Sequence, residues 1–380
     1  MAEKKHIVIV CGEASGDLNA SLLIRSLKAI NPQVKISGVG GSMMREAGAE
    51  IYQDIKELSA IGLFDVLKKL PRFFALKKLL LEKINSQKPD AVVLIDFSGF
   101  NLRLAKAINK KIPVIYYISP QIWASRQGRV NTIKQYISKM IVVFRFEEEF
   151  YRKFGIDAEF VGHPLLEIVR AEMNKAEFLM KFSLAPGKTT IALLPGSRKQ
   201  EIKNILPIML KTASLIKREL HDIQFIIAKP AQTEWDIYNR LVAGTNLDIR
   251  IIEGSAYDCL NSADFALVAS GTATLETALM QKPFAIIYKM DFLNYLLYRP
   301  QVKLPYIGMV NIVAEKKIVP EFIQFQAVPE EIAKYALQIL TNPAEAKKIQ
   351  SNLRDIRLLL GETGAARRAA QAILDFIDRQ

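Results

Sequence analysis

The residues of this 380-residue chain that could do chemistry sit where buried strands hand over to helices. Gly196-Ser197-Arg198 follows the apolar run Ile191–Leu194 and precedes a helical pattern at Ile205, Met209, Ala213 and Ile216. A glycine turn there leaves backbone N–H groups at a helix N-terminus, where they can hold phosphate. Arg198 adds a planar cation suited to two phosphate oxygens. The spacing is neither G-x-x-x-x-G-K-[ST] nor G-x-G-x-x-G, so two common nucleotide loops are excluded. A matching turn, Gly12-Glu13-Ala14-Ser15-Gly16-Asp17, follows the short strand Ile7–Cys11. Asp96 ends the apolar run Ala91–Ile95. An acid at the carboxyl end of such a strand is a candidate general base, with an N-cap role as the even alternative. Ser270-Gly271-Thr272 opens a further helix. Glu276, one turn in, is placed to accept both hydroxyls of a ribose; a capping box is the competing reading, but its register is off.

These turns need strands and helices to hold them. Apolar runs at 7–11, 91–95, 114–118 and 140–144, with the segment 34–39, read as buried parallel strands in the first half. Runs at 190–194, 224–228, 249–252, 265–269 and 284–288 repeat the logic in the second. Gly162-His163-Pro164 marks the break between halves. The expected fold is therefore α/β, two doubly wound Rossmann-like domains facing a central cleft. The expected boundaries are 1–165, 166–350 and a helical tail at 351–380. Trp123, at a strand exit in Ser119–Arg126, is expected to line the cleft, with core packing as the alternative. His163 reads as a packed linker residue.

Half the residues are hydrophobic, and 52 basic residues against 39 acidic give a formal charge of +13. That excess calls for an anionic partner without naming it. No nucleic-acid motif accompanies it, so a nucleic-acid binder is the less favoured reading. The two cysteines, Cys11 and Cys259, form no C-x-x-C, and no H-E-x-x-H or D-x-D occurs; no metal or cofactor is expected. No run is long and apolar enough for a membrane span. The segment Val66–Leu80 is basic and amphipathic, with Leu70, Phe73 and Phe74 on its apolar side. It is expected to lie on an anionic membrane surface, against the alternative of a helix packed on its sheet. Phe292–Arg299 is a second aromatic and basic stretch of this kind.

Taken together, Gly12–Asp17, Ile95-Asp96, Ser119–Ala124, Val161–Pro164, Leu193–Arg198 and Ala269–Glu276 resemble the lipid-A-disaccharide synthase family, GT-B glycosyltransferases of outer-membrane biogenesis. Each motif is common alone; their order and spacing carry the resemblance across nearly the whole chain. The resemblance implies transfer of a sugar from UDP-2,3-diacylglucosamine to 2,3-diacylglucosamine 1-phosphate, with inversion. It implies Asp96 as base and Arg198, with Gly196 and Ser197, as the diphosphate site. It places Glu13, Ser15, Gly16 and Asp17, and Ser270, Gly271, Thr272, Glu276 and Asn311, at the substrates. It also implies a C-terminal helix that crosses back to the first domain, and a peripheral protein on the cytoplasmic face of the inner membrane. The chain departs from the family pattern around Asn311, where Leu304-Pro305-Tyr306 lies upstream, and at Arg145, where the family has proline. Another UDP-sugar transferase or epimerase of the same fold, and a non-catalytic UDP-sugar sensor, remain as alternatives.

Overall fold

The computed structural model describes residues 4–59, 66–292, 295–296 and 304–380, with 58–59 and 66–70 described by backbone alone. It divides into two compact units: residues 1–164 with 361–380, and residues 165–360.

The first unit is built on seven parallel strands. They are β1 (His6–Val10), β2 (Lys35–Gly40), β3 (Glu50–Asp54), β4 (Ala91–Ile95), β5 (Val114–Tyr117), β6 (Lys139–Val142) and β7 (Ala158–Phe160). Their spatial order is β3-β2-β1-β4-β5-β6-β7. The second unit has six: β8 (Thr189–Leu194), β9 (Ile223–Lys229), β10 (Ile249–Glu253), β11 (Phe265–Ala269), β12 (Phe284–Tyr288) and β13 (Glu321–Ile323), ordered β10-β9-β8-β11-β12-β13. Central strands such as β4, β9 and β11 are buried along their whole length, which is why they read as uninterrupted apolar runs.

The strand order reverses between β1 and β4 in one unit and between β8 and β11 in the other. Ligand crevices in open α/β sheets lie at such switch points, outside the carboxyl ends of the strands. The turns that follow these four strands are the Gly12–Asp17 turn, the Asp96 turn, the Gly196–Arg198 turn and the Ser270–Thr272 turn. Four separate sequence motifs thus fall on the two positions that the topology singles out.

The helices used below are α1 (Ala14–Ile30), α2 (Ser42–Glu46), α3 (Val66–Gln87), α4 (Ser98–Ile108), α5 (Arg145–Arg152), α6 (Lys199–Glu219), α7 (Ala273–Leu279), α8 (Pro343–Leu359) and α9 (Ala365–Asp378). The chain leaves the second unit after α8, at Leu360, ten residues later than the expected tail boundary at 350. Gly361 and Gly364, both at positive φ, make the turn into α9. That helix packs on α1 and belongs to the first unit. Arg368 ties it down by donating to the Val161 carbonyl at 2.9 Å, and Lys5 pairs with Asp378. No helix among the described residues is long and apolar enough to cross a membrane.

Candidate active site

Asp96 sits just past the end of β4 in the left-handed region, φ 48°, and Phe97 follows at φ 46°. Left-handed backbone costs a non-glycine residue about 1–2 kcal/mol. Two in succession persist only where the surroundings over-determine them. The surroundings here are explicit. The Asn101 side-chain amide donates to the Asp96 carbonyl at 2.9 Å, to the Ile95 carbonyl at 3.2 Å and, more distantly, to the Val10 carbonyl at 3.4 Å. The Tyr116 hydroxyl donates to the Asp96 carbonyl, and burial pushes that phenol's pKa well up, so it stays a donor. The Asp96 N–H reaches the carbonyl of Ile118, itself left-handed at φ 59°, an outlying conformation for a β-branched residue. The carboxylate is thereby offered, half-buried, at the edge of the sheet. Phe97, not Asp96, holds the N-cap position of α4. Gly12 is required beneath this turn: a Cβ there would stand 2.3 Å from the Phe97 ring.

In the turn after β1, Glu13 and Ser15 are exposed and Gly16 is packed against Cys11. Asp17 is engaged within the protein. It is 4% exposed, and it accepts from the N–H groups of Gly41, Met43 and Met44 at 2.7, 3.1 and 3.2 Å. Those are the orphan donors at the start of α2, so Asp17 caps a neighbouring helix.

The second unit offers a different kind of turn. Gly196 takes the positive φ, 102°, and Ser197 and Arg198 lie exposed at the start of α6. The Glu201 carboxylate accepts from the Ser197 and Arg198 N–H groups at 3.2 and 3.3 Å, and it lies 3.6 Å from the Arg198 guanidinium. An internal carboxylate therefore rests on the donors that a phosphate would use. A Cβ at Gly196 would come within 2.6 Å of that carboxylate, so only glycine permits the approach. After β11, Gly271 and Thr272 are exposed, and the Ser270 hydroxyl donates to the Ile307 carbonyl at 3.2 Å. Glu276, on α7, accepts from the Tyr257 hydroxyl at 3.0 Å. Burial raises its pKa, opposed by that hydrogen bond. A hydroxyl already docked on Glu276 shows that the carboxylate can receive one.

Asn311 is also bonded within the protein. It is fully buried; its amide donates to the Val319 carbonyl and to Glu321, both at 2.9 Å, and accepts from the Ile318 and Val319 N–H groups at 2.8 and 3.1 Å. Its hydrogen-bonding capacity is spent on fixing its own loop. Trp123 is also a core residue, 6% exposed, rather than a wall of a cleft. Its indole N–H donates to Glu147 at 3.0 Å, and Glu147 also accepts from the Ser119 hydroxyl at 2.7 Å. The exception at Arg145 has a physical basis. It is the first residue of α5, where proline is equally at home, and its guanidinium lies 5.1 Å from the Phe160 ring. His163 packs on Phe144, and burial lowers its pKa to about 3, so it is a neutral linker residue.

On α3, Phe73 turns inward, its ring 6.0 Å from Phe97 and 6.1 Å from Phe100. The partly buried ring seats α3 on the turn that carries Asp96. Phe74 is 60% exposed, with Lys77 over its ring. Leu70 has no described side chain, and Leu293, Asn294 and residues 297–299 of the second aromatic stretch lie outside the described residues. Sequence reasoning missed Asn101, Tyr116, Ile118 and Glu147. Asn101 left a signal, an amide on the buried face of an otherwise apolar helix.

Comparison with known proteins agrees with this geometry. The two units share the fold of GT-B glycosyltransferases and sugar epimerases. The calicheamicin glycosyltransferase CalG4 superposes with a TM-score of 0.62 over 99% of each chain at 15% identity. The S. aureus MnaA–UDP co-structure superposes with a TM-score of 0.69 over 98% of this chain and 97% of that one at 12% identity. In sequence, the lipid-A-disaccharide synthetase family profile matches residues 7–376. The lipid-A-disaccharide synthase of Syntrophus aciditrophicus is 42% identical over 99% of this chain and 98% of its own length, and that of Myxococcus xanthus 36% over 99% of each. Matched by the family profile over residues 7–376 and by relatives 36–42% identical over 99% of its length, this chain belongs to the lipid-A-disaccharide synthase family of glycosyltransferases.

Proposed function

We propose that this enzyme transfers 2,3-diacylglucosamine from UDP-2,3-diacylglucosamine to the 6-hydroxyl of 2,3-diacylglucosamine 1-phosphate. The products are the β-1,6-linked lipid A disaccharide 1-phosphate and UDP. The observation that carries the reading is the Asp96 turn, a strained backbone held by Asn101 and Tyr116 at the carboxyl edge of its sheet. Asp96 takes the proton from the acceptor hydroxyl as its oxygen bonds to the anomeric carbon. The bond from that carbon to the diphosphate oxygen breaks, its electron pair leaves with UDP, and one displacement inverts the centre. Arg198 and the Ser197 N–H stabilise the charge gathering on the leaving diphosphate once Glu201 gives up those donors. Glu276 receives the ribose hydroxyls in place of the Tyr257 hydroxyl, and Ser270, Gly271 and Thr272 border the nucleotide. Glu13, Ser15 and Gly16 border the acceptor.

The same reading puts the protein on the cytoplasmic face of the inner membrane, held by the exposed Phe74 and the basic flank of α3. The domain limits at 164/165 and 360/361 separate an acceptor-handling unit from a UDP-sugar-handling one. The test is UDP release from the donor in detergent micelles, with and without acceptor, for the unaltered enzyme and Asp96→Ala. Acceptor-dependent release that Asp96→Ala loses supports the reading. Release that ignores the acceptor sinks it.

A further inference from the structure

We infer that Arg126 and Arg129, together with the Ser98 hydroxyl, form a subsite for a phosphomonoester on the sugar that Asp96 deprotonates. The inference rests on the acceptor proposed above and assigns the residues that hold its phosphate.

The segment from Ser119 to Arg129 is a loop with a buried anchor. Glu147, 1% exposed, accepts from the Ser119 hydroxyl, the Trp123 indole and the N–H groups of Val143 and Phe144, the last two at 3.3 and 3.2 Å. Four donors converge on one carboxylate, so its charge is spent on shaping the loop. The loop ends in a tight 3-10 turn closed by the Arg129 N–H on the Arg126 carbonyl at 3.0 Å, with Arg126 held left-handed at φ 58°. Two guanidiniums are thus mounted three residues apart on a strained, anchored turn. Arg129 reaches back to Ser98, donating to its hydroxyl at 3.0 Å. Ser98 is the first residue of α4, two residues beyond Asp96.

The cluster is cationic and partly desolvated. Burial lowers the pKa of the Arg129 guanidinium, and the charges of Arg126 and Arg103 lower it further. Arg129 donates to a neutral hydroxyl. A phosphate dianion would relieve that repulsion and match the planar forks. It would also meet the start of α4, an eleven-residue helix whose first N–H groups favour an anion. The cations have a second use: an acceptor bearing a phosphate must approach a carboxylate at Asp96, and the guanidiniums offset that repulsion.

The test uses the full chain in a Trp235→Phe background, which leaves Trp123 as the remaining tryptophan. Glucosamine 1-phosphate is titrated while Trp123 fluorescence is followed, with glucosamine as control. A saturable, phosphate-dependent change is expected, with affinity falling about 10–100-fold in Arg129→Ala. Arg126→Ala should act in the same direction, and because its side chain is exposed the variant keeps its fold. In transfer assays, both variants should lose the enzyme's preference for 2,3-diacylglucosamine 1-phosphate over 2,3-diacylglucosamine, through KM rather than kcat. No response of the unaltered protein to the phosphate, or an equal loss on both acceptors, overturns the inference. A lipid headgroup is the other source of the same chemistry. If the variants lose binding to phosphatidic acid vesicles but keep the glucosamine 1-phosphate response, the acceptor assignment is wrong. If the unaltered enzyme shows the phosphate response but no acceptor-dependent UDP release, the subsite stands and the proposed reaction falls.

Discussion

The turn after β4 and the turn after β8 each flank the switch point of a parallel sheet, yet they are built oppositely. At the Asp96 turn, positive φ falls on an aspartate, a phenylalanine and, one strand over, an isoleucine. A side-chain amide, a buried phenol and an aromatic ring on Gly12 hold them there. At the Gly196 turn, the positive φ falls on glycine, which bears it without strain, and the N–H groups rest on a nearby carboxylate that can move. Over-determination suits the role proposed for Asp96, because a base must be fixed to within a fraction of an ångström of the proton it takes. A relaxed turn resting on an internal carboxylate suits the role proposed for Gly196–Arg198, because a phosphate cradle has to be emptied and refilled.

The base turn should therefore respond to chemistry before stability. Asp96→Asn keeps the shape and tolerates the left-handed backbone, but removes the base. Its kcat should fall about 10²–10⁴-fold while UDP affinity is retained, read by single-turnover transfer and calorimetry. Parallel loss of UDP binding would mean that the turn serves structure alone. The next effect lies behind that turn. Burial lifts the Glu147 carboxyl from 4.5 to about 7, against the hydrogen bonds from Ser119, Trp123, Phe144 and Val143. A carboxyl with a raised pKa binds more protons folded than unfolded, so its contribution to stability falls as pH rises from about 4.5 to about 7. Glu147→Gln should remove that slope, changing the variant-minus-native difference in unfolding free energy by on the order of 2–3 kcal/mol across the window. Urea titrations at the two ends measure it, and identical slopes would place the raised group elsewhere.

The same contrast explains what could be read before the structure. Glycine, hydroxyl and charged residues after an apolar run announce a switch-point turn, because the backbone there needs special conformations and open donors. The central strands are legible for a related reason, since burial on both faces leaves only apolar side chains. The edge strands β3, β7 and β13 were not, because Glu50, Gln53, Glu159 and Glu321 interrupt any apolar pattern where one side meets water. The internal partners of Asp17 and Asn311 were not legible because each is a polar residue inside a motif. The donors that claim Asp17 are more than twenty residues away, and those that claim Asn311 lie seven and eight residues on. The packing of Phe73 on Phe97 and Phe100 was not legible because helical spacing defines an apolar face without saying whether protein or lipid covers it. The strain at Ile118 has no sequence signature at all; isoleucine there predicts an ordinary strand.

The relaxed turn carries the smaller effects. Arg198→Ala removes a charged hydrogen-bond donor that in this structure lies exposed, 3.6 Å from the Glu201 carboxylate. Such a pair contributes little to stability, so melting should hardly change. UDP affinity should fall about 10–100-fold, together with turnover. Glu201 supplies the sharpest distinction between the two turns. If its carboxylate stands in for the ligand, Glu201→Gln keeps an oxygen acceptor for the Ser197 and Arg198 N–H groups but removes the competing charge from the start of α6. UDP should then bind about 2–5-fold more tightly, since a unit charge near a helix N-terminus is worth about 0.3–1 kcal/mol. Titration of UDP into both proteins at low and high salt would show it, with the gain shrinking as salt screens the charge. A loss of affinity instead would mean that Glu201 orders the cradle for its ligand, and that this turn is as over-determined as the one at Asp96.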